Sequence, residues 1–319
     1  MARRLLPILL CAFFLVHVAL GEAKANKQPP KKPAPPASSP TARDGMIAFV
    51  SDRDGSDAIW AVPAGGGAAQ ELTHPDPDNG ETDSSPAFSP DGKQLIFVRQ
   101  NVDGGSDLWI AAADGSHPHK LIGDILDASF SPDGKQLVVV VPTADDNNAI
   151  ALVPSSGGKP TIICSDSDGA VNSPVFSPDG KQLAYSDDGR GILIATLTGK
   201  VNCQAALLGT IGSGDPSYGP DGSIAWDDSN SDQGGTDIWI KQPGKAKKTI
   251  VADGSGNVSP VIAPAGDKIV FSSDRPGDGT QVYTARLDGS GVRSIGDPQQ
   301  SCSTDYCQGD SAPAWQPLR

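Results

Sequence analysis

Apolar residues in this chain come in short runs separated by polar turns. Residues 84–88, 94–99, 107–111 and 119–122 are four such runs. Each is of strand length, and each is bounded by Gly, Pro, Asp, Asn or Ser, the residues that punctuate β-structure. The turn between the first two is Ser89-Pro90-Asp91-Gly92-Lys93-Gln94-Leu95. It returns as Ser131-Pro132-Asp133-Gly134-Lys135-Gln136-Leu137 and as Ser177-Pro178-Asp179-Gly180-Lys181-Gln182-Leu183. Weaker copies are Gly219-Pro220-Asp221-Gly222, Ala263-Pro264-Ala265-Gly266-Asp267 and the terminal Trp315-Gln316-Pro317. The prolines of these copies are 42, 46, 42, 44 and 53 residues apart. Repeats of this length mark solenoids, propellers or arrays.

Four short strands per repeat of about 42 residues make a propeller blade. The pattern therefore predicts an all-β, six-bladed β-propeller over residues 45–319, with four antiparallel strands, A to D, in each blade. The first blade enters directly on strand B at Met46-Ile47-Ala48-Phe49-Val50. Its missing strand A is at the other end of the chain, where Ser311-Ala312-Pro313-Ala314-Trp315 matches Ser84-Ser85-Pro86-Ala87-Phe88. The C-terminal strand is thus expected to complete the first blade and close the ring, which removes an open sheet edge. Pro86, Pro174, Pro216, Pro260 and Pro313 start five of the six A strands. A proline has no N–H for a ladder, so these strands should be edges lining the central channel. Phe88, Phe130, Phe176, Tyr218 and Trp315 should then pack between blades.

Two segments precede the repeats. Arg3 and Arg4 followed by an apolar run over residues 5–20 read as an export signal spanning residues 1–25, too short a run for an ordinary membrane span. An uncleaved anchor is the other reading of the same residues. Residues 26–44, rich in Pro and Lys, read as an extended or disordered linker. Export places the propeller in the periplasm or outside the cell, without stable membrane insertion once the signal is removed.

Charge sharpens the picture. The chain carries −13 overall. Residues 1–25 carry +2 and residues 26–44 carry +3, which leaves −18 on the repeats. Such a surface repels nucleic acid and attracts cations or basic partners. In a blade, the A–B and C–D turns lie at one end, and the B–C loops and D-to-A connections lie at the other. Asp91, Asp133, Asp179 and Asp267 fall at the first end, each beside a lysine. Most other carboxylates fall at the second, which should be acidic. Residues just ahead of the A strands, Asp83, Asp127, Asn172, Asp215, Asn257 and Asp310, are the expected ring around the channel mouth. They are candidates to bind a basic peptide or a hard cation. Asx side chains are also ordinary turn formers. No cofactor is implied. Asp76-Pro77-Asp78-Asn79-Gly80-Glu81 is the stretch nearest to a calcium loop, without the spacing of an EF-hand.

Catalytic motifs are sparse. No Gly-x-Ser-x-Gly, His-Glu-x-x-His or phosphate-cradling loop occurs. Four cysteines follow the signal, in a compartment where disulfides form. Cys302 and Cys307 are expected to staple the longest connection. Cys164 and Cys203 fall on outer strands of adjacent blades and either pair or stand as buried thiols.

Ser89-Pro90-Asp91-Gly92-Lys93 with Phe97, and Ser51-Asp52-Arg53-Asp54-Gly55 with Asp57-Ala58-Ile59-Trp60, resemble the WD-like repeats of the TolB C-terminal propeller family. The resemblance covers about residues 45–319. The α/β domain that precedes the propeller in TolB has no counterpart among the repeats. The resemblance implies a periplasmic propeller that binds an envelope protein or peptide without catalysis, and the chain is expected to be a monomer. Similar repeats also occur in peptidase-associated propellers and in sugar-acid lyases. The alternative is therefore a saccharide-acting lyase or hydrolase with a cation at the channel mouth.

Overall fold

The computed structural model describes residues 43–144, 147–165, 170–198, 201–229, 234–275, 279–295 and 311–318. The expected signal, most of the linker, Cys302, Cys307 and Asp310 lie outside the described residues.

Six four-stranded antiparallel sheets form a propeller. The second blade holds β4 (Thr82–Phe88), β5 (Gln94–Gln100), β6 (Ser106–Ala112) and β7 (His119–Gly123). The third holds β8 (Asp127–Phe130), β9 (Gln136–Pro142), β10 (Asn148–Pro154) and β11 (Thr161–Ser165). The fourth holds β12 (Val171–Phe176), β13 (Gln182–Asp187), β14 (Gly191–Thr196) and β15 (Asn202–Leu207). The fifth holds β16 (Ser213–Tyr218), β17 (Ile224–Asp228), β18 (Asp237–Lys241) and β19 (Lys248–Val251). The sixth holds β20 (Asn257–Ile262), β21 (Lys268–Ser273), β22 (Gln281–Arg286) and β23 (Arg293–Ser294). The first blade joins the two ends of the domain: β24 (Ser311–Leu318), then β1 (Arg43–Ser51), β2 (Ala58–Pro63) and β3 (Gln70–Glu71).

The ring closes as the repeat pattern requires. Strand β24 pairs with β1, with Trp315 opposite Ile47 and Ala314 opposite Ala48. Gln316 adds a polar clasp. Its amide donates to the Gly92 carbonyl at 2.8 Å, and its carbonyl accepts from the Met46 N–H at 3.1 Å.

The B strands are buried on both faces, because each blade is sandwiched between two neighbours. In β5, Leu95, Ile96, Phe97 and Val98 are all buried. Leu95 and Phe97 join the core shared with the first blade, whereas Ile96 and Val98 join the core shared with the third. The same alternation recurs around the ring, so the core is six inter-blade seams. Phe88, Phe130, Phe176, Tyr218 and Trp315 each pack into one of these seams, in keeping with their spacing.

The repeated turn holds itself together. Ser89 Oγ donates to Asp91 Oδ1 at 2.7 Å and accepts the Gln94 N–H at 2.9 Å. The Ser131–Asp133 and Ser177–Asp179 turns repeat the 2.7 Å bond. This hydroxyl bond is the main reason Asp91 lies below the usual carboxylate range. Gly92 is required at φ +71°, and a Cβ there would lie 2.0 Å from the Pro317 carbonyl oxygen.

Cys164 and Cys203 form a disulfide, with Sγ atoms 2.10 Å apart. It ties β11 to β15, the outer strands of the third and fourth blades. Among the described residues, no helix is long and apolar enough to cross a membrane.

Candidate functional site

The A strands surround a central cavity of about 290 Å³. Aligned on the Pro-x-apolar pattern of the A strands, with Ala128 in place of the proline in β8, one residue from each strand falls at the same level. Around the ring these are Ser85, Asp127, Ser173, Asp215, Ser259 and Ala312, and all six line the cavity. Five of them precede a proline. Those five have φ of +50° (Ser85), +50° (Ser173), +44° (Asp215), +52° (Ser259) and +46° (Ala312). Such values are uncommon for residues with a Cβ. Each lies at a register shift between the A and B strands. A β-bulge re-aims the side chain it carries. Asp127 precedes Ala128 instead of a proline, and its strand keeps an unbroken register, with Asp127 opposite Val140.

These residues form a belt of hydrogen bonds. Ser173 Oγ donates to Asp215 Oδ1 at 2.7 Å, and Ser259 Oγ donates to Asp215 Oδ2 at 2.8 Å. Asp127 accepts from the Ala128 N–H at 2.8 Å, from the Ser85 hydroxyl and from the Ser173 N–H. Two carboxylates thus tie five blades together, and Ala312 of the first blade leaves the belt open. A third carboxylate stands behind it. Asp227 is 6% exposed and accepts the Ser259 N–H at 2.9 Å and the Gly214 N–H at 3.1 Å.

The chemistry of the wall follows from its residues. Proline has no N–H, and the hydroxyl protons of the three belt serines, Ser85, Ser173 and Ser259, are already donated to carboxylates. The side chains of the belt therefore offer lone pairs only. No Lys, Arg or His lines the cavity among the described residues. Asp127 lines the lumen and is packed among β4, β9 and β12. That burial, with the charge of Asp215, pushes its carboxyl up to about 7 against the pull of the hydrogen bonds it accepts. Asp227 is raised for the same two reasons, burial first and then Asp215.

The six residues expected at the mouth part company here. Asp127 and Asp215 are in the lumen. Asp83 is fully buried and is held by Arg99, Nε to Oδ1 at 2.7 Å and Nη2 to Oδ2 at 2.7 Å. Asn257 is fully buried, donates to the Thr236 carbonyl and accepts from Ser273 Oγ at 2.8 Å. Asn172 accepts from Asn148 Nδ2 at 3.2 Å and donates to Asp188 Oδ1 at 3.5 Å. Asp310 lies outside the described residues. The belt serines were not singled out from the sequence. Counting back one residue from each A-strand proline would have found four of the six positions as Ser or Asp.

The other candidate loop is satisfied locally. Asp76 Oδ1 accepts the Asp78 N–H at 3.0 Å, Asp76 Oδ2 accepts from Asn79 at 2.8 Å, and Glu81 accepts the Asp76 N–H at 3.0 Å.

No family model matches the chain, and no curated protein matches it in sequence. Solved structures do share the fold. TolB from Acinetobacter baumannii is similar at a TM-score of 0.70 and 18% identity, over 85% of this chain and 66% of that one. The chain therefore spans just under two thirds of that protein's length. A candidate TolB from Agrobacterium tumefaciens matches at 0.54 and 24% identity, over 80% of this chain and 89% of that one. A prolyl endopeptidase matches at 0.51 and 17% identity, over 82% of this chain and 42% of that one. These likenesses are of fold.

Proposed function

We propose that this protein is an exported, non-catalytic binding propeller of TolB-like architecture. It recognises a basic segment of an envelope protein at its acidic loops and central channel. The observation that supports this reading is the belt. Two carboxylates face a small cavity, the side chains of the belt offer only lone pairs, and among the described residues no basic side chain lines the cavity. The group that complements such a wall is a cation rich in donors, such as a lysine ammonium or an arginine guanidinium. The net charge of −18 on residues 45–319 favours the approach of such a partner from a distance. The TolB resemblance and the export signal read from the sequence support an envelope location.

The test is a capture experiment from an envelope extract with the intact chain, repeated with Asp127→Asn and Asp215→Asn. Loss of the same basic partner in both variants is expected. Retention of every captured partner by both variants would sink the channel reading.

A further inference from the structure

Resting on that reading, we infer that the channel is a proton-responsive site. Uptake of a proton by Asp127 in the lumen, and of another by Asp227 behind Asp215, lowers the negative charge of the belt and releases a bound cationic group.

The argument begins with which buried carboxylates have a counter-ion. Asp83 is clamped by Arg99, and Asp187 by Arg190 at 2.7 Å. A guanidinium stays charged at any ordinary pH, so each of those carboxylates has a fixed counter-ion. The belt is built differently. From β4 Asp127 meets the Ser85 hydroxyl, and from β12 it meets the Ser173 N–H. Strand β9 presents Val140 in register, and β5 contributes Ile96 and Val98 to the adjoining core. The charged group facing Asp127 is Asp215 across the channel, of like sign.

Asp227 has the same kind of surroundings. Strand β16 offers Asp215 and the Gly214 N–H, β20 offers the Ser259 N–H, and its own strand offers Asp228. Strand β18 presents Ile238 in register. Asp215 is packed by β12 and β20 through Ser173 and Ser259, and its neighbour β13 carries Asp187, already paired with Arg190. Like charges held together in a desolvated space favour taking up a proton. The raised carboxyls of Asp127 and Asp227 are consistent with this. Away from the channel, Asp114 and Asp288 are held below their usual range by hydrogen bonds from Ser116 and Ser290, whereas Asp57, in the loop between β1 and β2, is raised by burial and then by Asp52.

The test uses N-acetylated, C-amidated tetralysine, whose ammonium groups stay charged through this range. Binding to the intact chain is followed by fluorescence anisotropy at fixed ionic strength from pH 5.5 to 8.5. Affinity is expected to fall about tenfold from pH 8.5 to pH 5.5. Asp127→Asn should bind weakly at pH 8.5 and lose most of the pH dependence, which separates the belt from His74, His117 and His119. The carboxyl ¹³C resonance of Asp127 in the free protein supplies a second readout that needs no variant and no ligand. Its midpoint is expected within the same range. Binding that is equally tight across the range, or an Asp127 midpoint below pH 5, overturns the proton response and leaves the channel site standing. Failure of Asp127→Asn to weaken binding at any pH overturns the site reading as well.

Discussion

Asp83→Asn separates architecture from recognition. Asp83 was an expected mouth residue, yet it is fully buried in a two-point pair with Arg99. The Arg99 guanidinium also lies over Trp109 at 4.9 Å and Phe97 at 5.6 Å, and its side chain is 12% exposed. Removing one partner of a buried ion pair costs about 3–5 kcal/mol, because the other charge is left without compensation. Asparagine still accepts one hydrogen bond, and Glu81 remains 3.4 Å from Arg99 Nη1. The lower end, about 3 kcal/mol, is therefore expected. A domain of this size has an unfolding entropy of about 0.6 kcal/mol/K, so the melting temperature should fall by about 5 °C. The assay is thermal unfolding followed by circular dichroism at pH 7.5. Asp91→Asn is the reference, since its pair with Lys93 is exposed and 3.7 Å long. Such pairs contribute about 0.5 kcal/mol or less, or under about 1 °C. Replacing both buried partners, as Asp83→Leu with Arg99→Met, should recover most of the loss. Equal melting of Asp83→Asn and Asp91→Asn would refute the reasoning. Below its melting range, Asp83→Asn should still bind basic peptide, because Asp83 does not line the channel.

Other consequences are equally direct. Asp127 titrates near 7 in the folded protein and near 4 when unfolded, so its contribution to stability is full below about pH 4 and is lost as pH rises through about 7; Asp127→Asn should reduce the wild-type fall in melting temperature between pH 5 and pH 8. The Cys164–Cys203 disulfide closes a span of 39 residues, worth about 4 kcal/mol by loop entropy, so reduction should lower the melting temperature by about 7 °C; an unchanged melt with both thiols free by titration would count against it. Gly92→Ala should destabilise by about 2 kcal/mol or more, since it meets the Pro317 carbonyl. Gly55→Ala, with φ +97° and nothing within 4 Å of an added Cβ, should cost about 1 kcal/mol, and comparing the two chemical denaturation midpoints checks this.

Much of the architecture could be read from residue order alone. The recurring Ser-Pro-Asp-Gly turn and the proline that opens most A strands are local signals, and each reports a local requirement of the backbone. Their spacing predicts the number of blades, and the match of residues 311–315 to residues 84–88 predicts the closure between β24 and β1. The candidate site was legible only in part. Asp127 and Asp215 could be nominated as acids near the channel, but so could Asp83 and Asn257. Asp83 and Asn257 stand two positions ahead of Ser85 and Ser259, and the register shift at those serines re-aims the side chain it carries, so the simple two-residue period of a strand does not tell which position faces the channel.

By itself, then, the sequence determined the all-β repeat, the blade count, the closing strand and the surplus of negative charge, because turn chemistry, strand period and charge are properties of consecutive residues. The tertiary structure decided which carboxylates meet a guanidinium and which face the lumen without a counter-ion. Arg99 reaches Asp83 across a strand pair, whereas Ser173, Asp215 and Ser259 come from three different blades. Only folding brings such groups within hydrogen-bonding distance. The five bulges that turn residues toward the channel exist only once the A strands are paired.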